Sequence, residues 1–138
     1  MIKKTHIALG VVSVLPVVSH VNLIYIPIGL IGSIFPDYDI LLGLKHRWIT
    51  HNFVALAVTT FFTLFISQDL AITWGLCYFS HLFADSLTKM GIPALYPISK
   101  KYYGLKIFRT GGTGDYSLLL LCLYIIFQYI TRTLGIIL

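Results

Sequence analysis

Hydrophobic positions run through this chain in long blocks, parted by short polar clusters. Four stretches contain no Asp, Glu, Lys or Arg: Thr5 to Pro36, Trp48 to Gln68, Leu70 to Ala84 and Tyr116 to Thr131. Leu, Ile and Val dominate them without the strict alternation of barrel strands, and in hydrocarbon only helices or closed barrels satisfy their own backbone groups. The pattern therefore predicts an all-α chain. A span needs about 20 apolar residues, fewer in a thin bilayer, so the first block is too long for one ordinary span. It divides at Val18-Ser19-His20-Val21-Asn22, its most polar part. One helix is expected from about Thr5 and a second from about Leu23 to Phe35, ending where Pro36 pushes its predecessor out of the α region. A third runs from Thr50 as N-cap to Ser67, and a fourth from Gln68-Asp69 to near Leu87. A loop from about Thr88 to Gly114 carries five glycines, two prolines and much of the basic charge. A last helix opens at Asp115, whose charge suits a helix N-terminus. The expected architecture is a single domain over residues 1–138, an integral membrane bundle of about five helices: two short N-terminal helices, a central hairpin and one C-terminal helix.

Composition strengthens the membrane reading. With 57% hydrophobic and 11% charged residues and a mean hydropathy of +0.86, the chain lacks the polar surface of a soluble domain. Lys3-Lys4 before an apolar run resembles a secretory signal, but no small-residue cleavage pattern follows and Val17-Val18-Ser19-His20 is a poor site, so the segment is expected to stay as the first helix. Cys77 and Cys122 both fall inside expected helices, which supports neither a disulfide framework nor a Cys-rich metal site.

Counting crossings assigns the loops to sides. If each expected helix spans, His6, Asp37, Asp39, His46, His51, His81, Asp85 and Asp115 share one face, and His20 and Asp69 share the other. Most lysines and arginines lie with the first group, against Arg132 on the far side, and such bias marks the cytoplasmic face. The expected localisation is the inner (plasma) membrane, multi-pass, with a cytoplasmic N-terminus.

Singly, an Asp or His near a helix end reads as a solvated headgroup contact. Together they carry chemistry. His81 and Asp85 are four apart, one helical turn, and can offer a nitrogen and an oxygen to one ion. Asp37-x-Asp39 cannot share a helix face, but in a turn the pair can flank a cation. His46 and His51 add imidazoles close to a helix start. Such a donor set suits Zn²⁺ or another divalent transition metal, as one or two ions, better than Mg²⁺ or Ca²⁺.

The order Thr5-His6, Gly32-Ser33-Ile34-Phe35-Pro36-Asp37-Tyr38-Asp39, His46-Arg47 with Thr50-His51, Ser80-His81-Leu82-Phe83-Ala84-Asp85-Ser86-Leu87-Thr88, and Arg109-Thr110-Gly111-Gly112 with a later acid resembles the YdjM-like family of LexA-regulated, membrane-bound proteins predicted to be metal-dependent hydrolases. The resemblance covers almost the whole chain. It implies that His6, Asp37, Asp39, His51, His81 and Asp85 form the metal-ligand set, on a helical scaffold similar to that of zinc-dependent phospholipases C. Two positions depart from the family. The acid after Thr-Gly-Gly is Asp115 where Glu is usual, and bulky Trp48 follows His-Arg where Gly is usual. The chain contains no Glu, so any general base is an Asp, a His or a metal-activated water.

Arg109 beside Thr110-Gly111-Gly112 offers a guanidinium and backbone N–H groups to a phosphate, and Asp115 is the acid nearest to it, so these two are the expected substrate-side catalytic residues. The other basic and aromatic residues of the loop, from Lys100-Lys101-Tyr102-Tyr103 to Lys106, read as a membrane anchor, and no nucleic-acid-binding module is present. The expected activity is hydrolysis of an ester or phosphodiester, with membrane lipids as partners and a phospholipid as candidate substrate. Two rivals come from other classes: a metal or ion transporter, and a non-catalytic protein with a structural metal. A transporter should hold its polar ligands near mid-membrane, whereas here the middle of each block is apolar.

Overall fold

The computed structural model describes residues 1–41, 43 and 47–135. Among them are six α-helices and no β-strand: α1 Lys3–Val14, α2 Tyr25–Leu30, α3 Tyr38–Leu41, α4 Phe53–Leu64, α5 Gln68–Ser86 and α6 Thr113–Thr133. The all-α reading holds. The second expected helix is shorter than its apolar run, because α2 gives way to two 3₁₀ turns, Ile31–Ser33 and Phe35–Asp37, before the four-residue α3. Packing explains the break: a side chain at Gly32 would meet the Trp74 carbonyl oxygen at 2.9 Å, and Pro36 opens the second turn. These turns pack against α5 and bring the Asp37 carboxylate back toward it.

The α4/α5 hairpin forms as expected, with different caps. Asn52, not Thr50, caps α4, its Oδ1 accepting from Ala55 N at 2.8 Å; the Thr50 hydroxyl instead donates to the Pro36 carbonyl at 2.9 Å. Ser67 caps α5 through Asp69 N. The last helix starts two residues before Asp115, capped by Gly112.

Helix α5 is the axis of the fold, packing against α1, α2 and α4, while α1 also packs against α6. Its core residues Trp74, Tyr78 and Leu82 join Ile92 of the following loop and are flanked by Phe35 and Leu56. The polar tips of the aromatics are satisfied within this core: Trp74 Nε1 donates to Thr59 Oγ1 at 3.1 Å and Tyr78 Oη to the Thr50 carbonyl at 2.6 Å. The loop after α5 doubles back on itself through paired hydrogen bonds between Ile92 and Tyr103, 2.8 and 2.9 Å long, and its Trp48-facing edge is closed by Tyr96, whose ring meets the indole at 5.7 Å.

Among the described residues, length and composition make one helix able to cross a membrane, α6, with 21 residues and a rise of about 32 Å. The apolar α4 has 12 residues, about 18 Å, short of a hydrocarbon core of about 30 Å. The sequence blocks overstate the helices because turns and caps consume their ends. Large apolar side chains nevertheless stand exposed along the outer faces of both, including Phe61, Phe62 and Phe65 near α4 and Leu120, Leu123 and Phe127 on α6. Contiguous exposed apolar surface of this kind marks contact with lipid or protein.

Candidate metal centre

The 3₁₀ turn before α3 delivers Asp37, the segment before α4 delivers His51, and the last two turns of α5 deliver His81 and Asp85. One nitrogen or oxygen from each of these four lies within 4.8 Å of the others. The two Nε2 atoms of His51 and His81 are 3.2 Å apart. Asp37 Oδ1 is 3.6 Å from His51 Nε2 and 3.7 Å from His81 Nε2, and Asp85 Oδ2 stands at 3.5 and 3.7 Å from the same two nitrogens. Ligands about 2.0–2.1 Å from a tetrahedral zinc are about 3.3–3.4 Å from one another. Five edges of the four-atom cluster fall close to that spacing.

The outer nitrogens set the tautomers. His81 Nδ1 is 2.7 Å from the Ser33 carbonyl oxygen, which can only accept, so Nδ1 carries the proton and Nε2 holds a lone pair. His51 Nδ1 lies 3.0 Å from Thr50 Oγ1 and 3.5 Å from Asp39 Oδ2, the carboxylate–histidine arrangement that fixes a metal-ligating ring. With both rings neutral, two lone pairs face each other at 3.2 Å, with the Asp85 Oδ2 carboxylate oxygen, buried and without a hydrogen-bond donor among the described residues, beside them. A cation satisfies all three at once, and the donor set is the imidazole and carboxylate mixture that suits zinc.

Burial and charge shape the titration of the groups outside the long helices. Burial opposes ionisation of Asp37, but the hydrogen bond from His51 and the nearby His81 and His6 outweigh it and hold the acid down at about 2. For His51 burial favours the neutral ring, and the Asp37 and Asp85 carboxylates reverse this and raise its pKa.

The six ligand candidates separate into layers. Asp37, His51, His81 and Asp85 form the cluster. Asp39 stands behind His51, where its Oδ2 also accepts from Arg47 N at 2.9 Å and Thr50 Oγ1 at 3.2 Å. His6 stacks on His81 with ring centroids 3.8 Å apart; its Nε2 is 3.4 Å from Asp85 Oδ1, and neither ring nitrogen has a hydrogen-bond partner among the described residues. His46 lies outside the described residues.

Asp115 and Arg109, expected beside a substrate, lie outside the four-residue cluster. Asp115 is fully buried, and its carboxylate accepts from Thr5 Oγ1 at 2.7 Å, Gly111 N at 2.9 Å and Ile2 N at 3.0 Å. Three donors make it a brace between the start of α1 and the turn before α6. Arg109 is exposed and lines a separate cavity with Lys89 and Thr113. His20 and Asp69 are at the turns of the opposite end, where Asp69 Oδ2 accepts from Asn22 N at 2.9 Å.

A family model for the YdjM inner membrane protein matches residues 1–137. The chain belongs to the YdjM inner membrane protein family. No curated protein and no solved structure matches it, so the chemistry of this YdjM family member has to be read from its own residues. One of them, Arg47, stands in the sequence only as part of the His46-Arg47 pair. Arg47, 3% exposed, reaches Asp85 Oδ1 at 2.8 Å, Thr88 Oγ1 at 2.7 Å and the Gly91 carbonyl at 3.2 Å. The α-ammonium of Met1 meets the same Asp85 oxygen at 2.5 Å. These two cations hold Oδ1, which aims Oδ2 at the histidines. Arg47 reads as one more headgroup cation by charge counting; its place directly after His46 in the quoted motif was the usable clue.

Proposed function

We propose that this protein is a metal-dependent hydrolase of the inner membrane, acting on an ester or phosphodiester of a membrane lipid. The observation that carries the reading is the facing pair of His51 and His81 Nε2 lone pairs, enclosed by Asp37 and Asp85 at ligand spacing. His51, His81 and Asp85 would hold a divalent transition metal, zinc by donor type, with Asp37 as the fourth and most accessible ligand. When bound, such an ion lowers the pKa of a water toward ~7 and polarises a phosphoryl or acyl oxygen. Hydrolysis breaks one P–O or C–O ester bond, adds the water oxygen to phosphorus or carbon, and returns a proton to the leaving oxygen.

The chain's own groups do the rest. Ser33 and Asp39 hold the imidazoles in the ligating tautomer, and Arg47 orients Asp85. Asp37 retains 8% of its surface, against 0% for His51, His81 and Asp85, and it lines a cavity of about 440 Å³. Access to the centre therefore runs through Asp37. His6, buried without a partner beside Asp85, is the nearest candidate to carry a proton or to join a second ion.

The same reading places the protein across the membrane several times, N-terminus inside, with short α1 and α4 in a locally thinned bilayer. The metal centre and the exposed cations Lys3, Lys89, Lys100 and Arg109 lie toward one end and Arg132 at the end of α6, as positive-inside bias requires. Purified protein should contain about one equivalent of transition metal and release product from a lipid panel, with both lost in His81→Ala. Metal-loaded protein that cleaves no ester or phosphodiester, yet melts earlier on chelation, would make the metal a structural staple instead.

A further inference from the structure

Arg47 is more completely buried than its hydrogen bonds explain. Both terminal nitrogens are engaged, yet Nε has no hydrogen-bond partner among the described residues, and a buried guanidinium donor left unpaired is costly. The residue lines the cavity of about 440 Å³ that opens over Asp37, together with Ile2, Lys3, Ile40, Met90 and Thr110. The start of α1 faces the same space. That helix has no acidic residue in its own first turn and no side-chain cap; Asp115 already takes the Ile2 amide, and the next amide groups lack intrahelical acceptors, so the dipole still favours an anion beside them. Lys3 adds an exposed ammonium, Thr110 a hydroxyl, and Ile2, Ile40 and Met90 an apolar wall.

We propose that this cavity binds the phosphoryl group of a lipid phosphate ester, with Arg47, Lys3, Thr110 and the start of α1 around the phosphate and the apolar wall along the glycerol and proximal acyl carbons. The inference rests on the hydrolase reading, because Asp37 would repel the anion unless a metal balances its charge. It also narrows that reading: a phosphate-bearing lipid replaces the broader class of membrane esters. The charge at the mouth is cationic while the walls are apolar, a combination that neither a neutral diacylglycerol nor a water-soluble phosphate ester matches in full.

The test uses detergent-purified, full-length, zinc-loaded protein and calorimetric titration with three probes. These are dioctanoyl phosphatidic acid, dioctanoylglycerol and glycerol 3-phosphate. Phosphatidic acid should bind at least about tenfold more tightly than either of the others, since a charge-assisted contact and the apolar wall each contribute on that scale. Lys3→Gln and Thr110→Val touch no member of the cluster, and each should weaken phosphatidic acid binding by several-fold to about tenfold with zinc content unchanged. Equal binding of dioctanoylglycerol would show an apolar groove only, and equal binding of glycerol 3-phosphate would show a soluble-ester site; either overturns the proposal. Unchanged affinity in both variants also overturns it. Wild type that holds zinc and cleaves a carboxylic ester without binding phosphatidic acid refutes the phosphate site alone, whereas zinc-loaded wild type that binds phosphatidic acid but cleaves no ester or phosphodiester refutes the hydrolase reading and leaves the phosphate site standing.

Discussion

Replacing Asp39 with asparagine keeps the side chain's size and removes its charge, at a carboxylate that stands behind His51. In the structure Asp39 Oδ2 accepts from Arg47 N at 2.9 Å and Thr50 Oγ1 at 3.2 Å and lies 3.5 Å from His51 Nδ1. An amide oxygen in the same place can still accept from the backbone and the hydroxyl, so the local turn should survive. What is lost is the carboxylate that makes Nε2 a better donor. Removing such an outer partner typically lowers metal affinity about 10–100-fold, or about 1.4–2.7 kcal/mol, and the retained neutral hydrogen bonds place Asp39→Asn toward the low end. If Asp39 were itself a ligand, the loss should match that of His81→Ala. Competition of purified protein against a chromogenic zinc chelator measures the difference, with circular dichroism confirming that both variants keep their helices. Affinity equal to wild type, or a loss as large as that of His81→Ala, would refute the layered assignment.

Three further outcomes are expected. His81→Ala and Asp85→Ala should each deplete the metal measured by elemental analysis, while His20→Ala, at the opposite end of the fold, should retain it. Because the Asp37 and Asp85 carboxylates, against the effect of burial, raise the pKa of His51, the metal must displace a proton. Apparent zinc affinity should therefore climb with pH, by up to tenfold per unit for that proton, until pH passes the raised pKa. The metal-free fold behaves oppositely, since the stability from protonated His51 is present below the ordinary value of about 6.5 and is lost as pH rises through the raised one; zinc titrations and thermal shifts over about pH 6 to 9 check both signs. Gly91 has φ +68°, and a Cβ there would meet the Tyr103 carbonyl oxygen at 2.5 Å, whereas Gly111, at φ +69°, has nothing within 4 Å. Gly91→Ala should thus cost clearly more than the ~1–2 kcal/mol of left-handed strain, and Gly111→Ala no more than it, read as melting temperatures in detergent.

The blocks of apolar residues were sufficient to read an all-helical chain, the α4/α5 hairpin and a last helix near Asp115, because helix periodicity and capping are local properties written in neighbouring residues. Membership of the YdjM family was legible too, since its motifs are short runs in fixed order. That the six candidates His6, Asp37, Asp39, His51, His81 and Asp85 gather in one region followed from the parity of helix crossings. Which of them face a common point did not, because a ligand's aim depends on groups far away in the chain: the Ser33 carbonyl that turns His81, and Arg47 that turns Asp85. Asp115 shows the same limit. Its place at a helix start was local and predictable, but its capture by Thr5 and Ile2 joins residues more than a hundred positions apart, and only the folded chain decides such contacts. Helix ends were misjudged for a related reason. Apolar composition states that a segment avoids water, whereas the break after Leu30 depends on Gly32 meeting the backbone of Trp74, an approach that hydropathy does not encode.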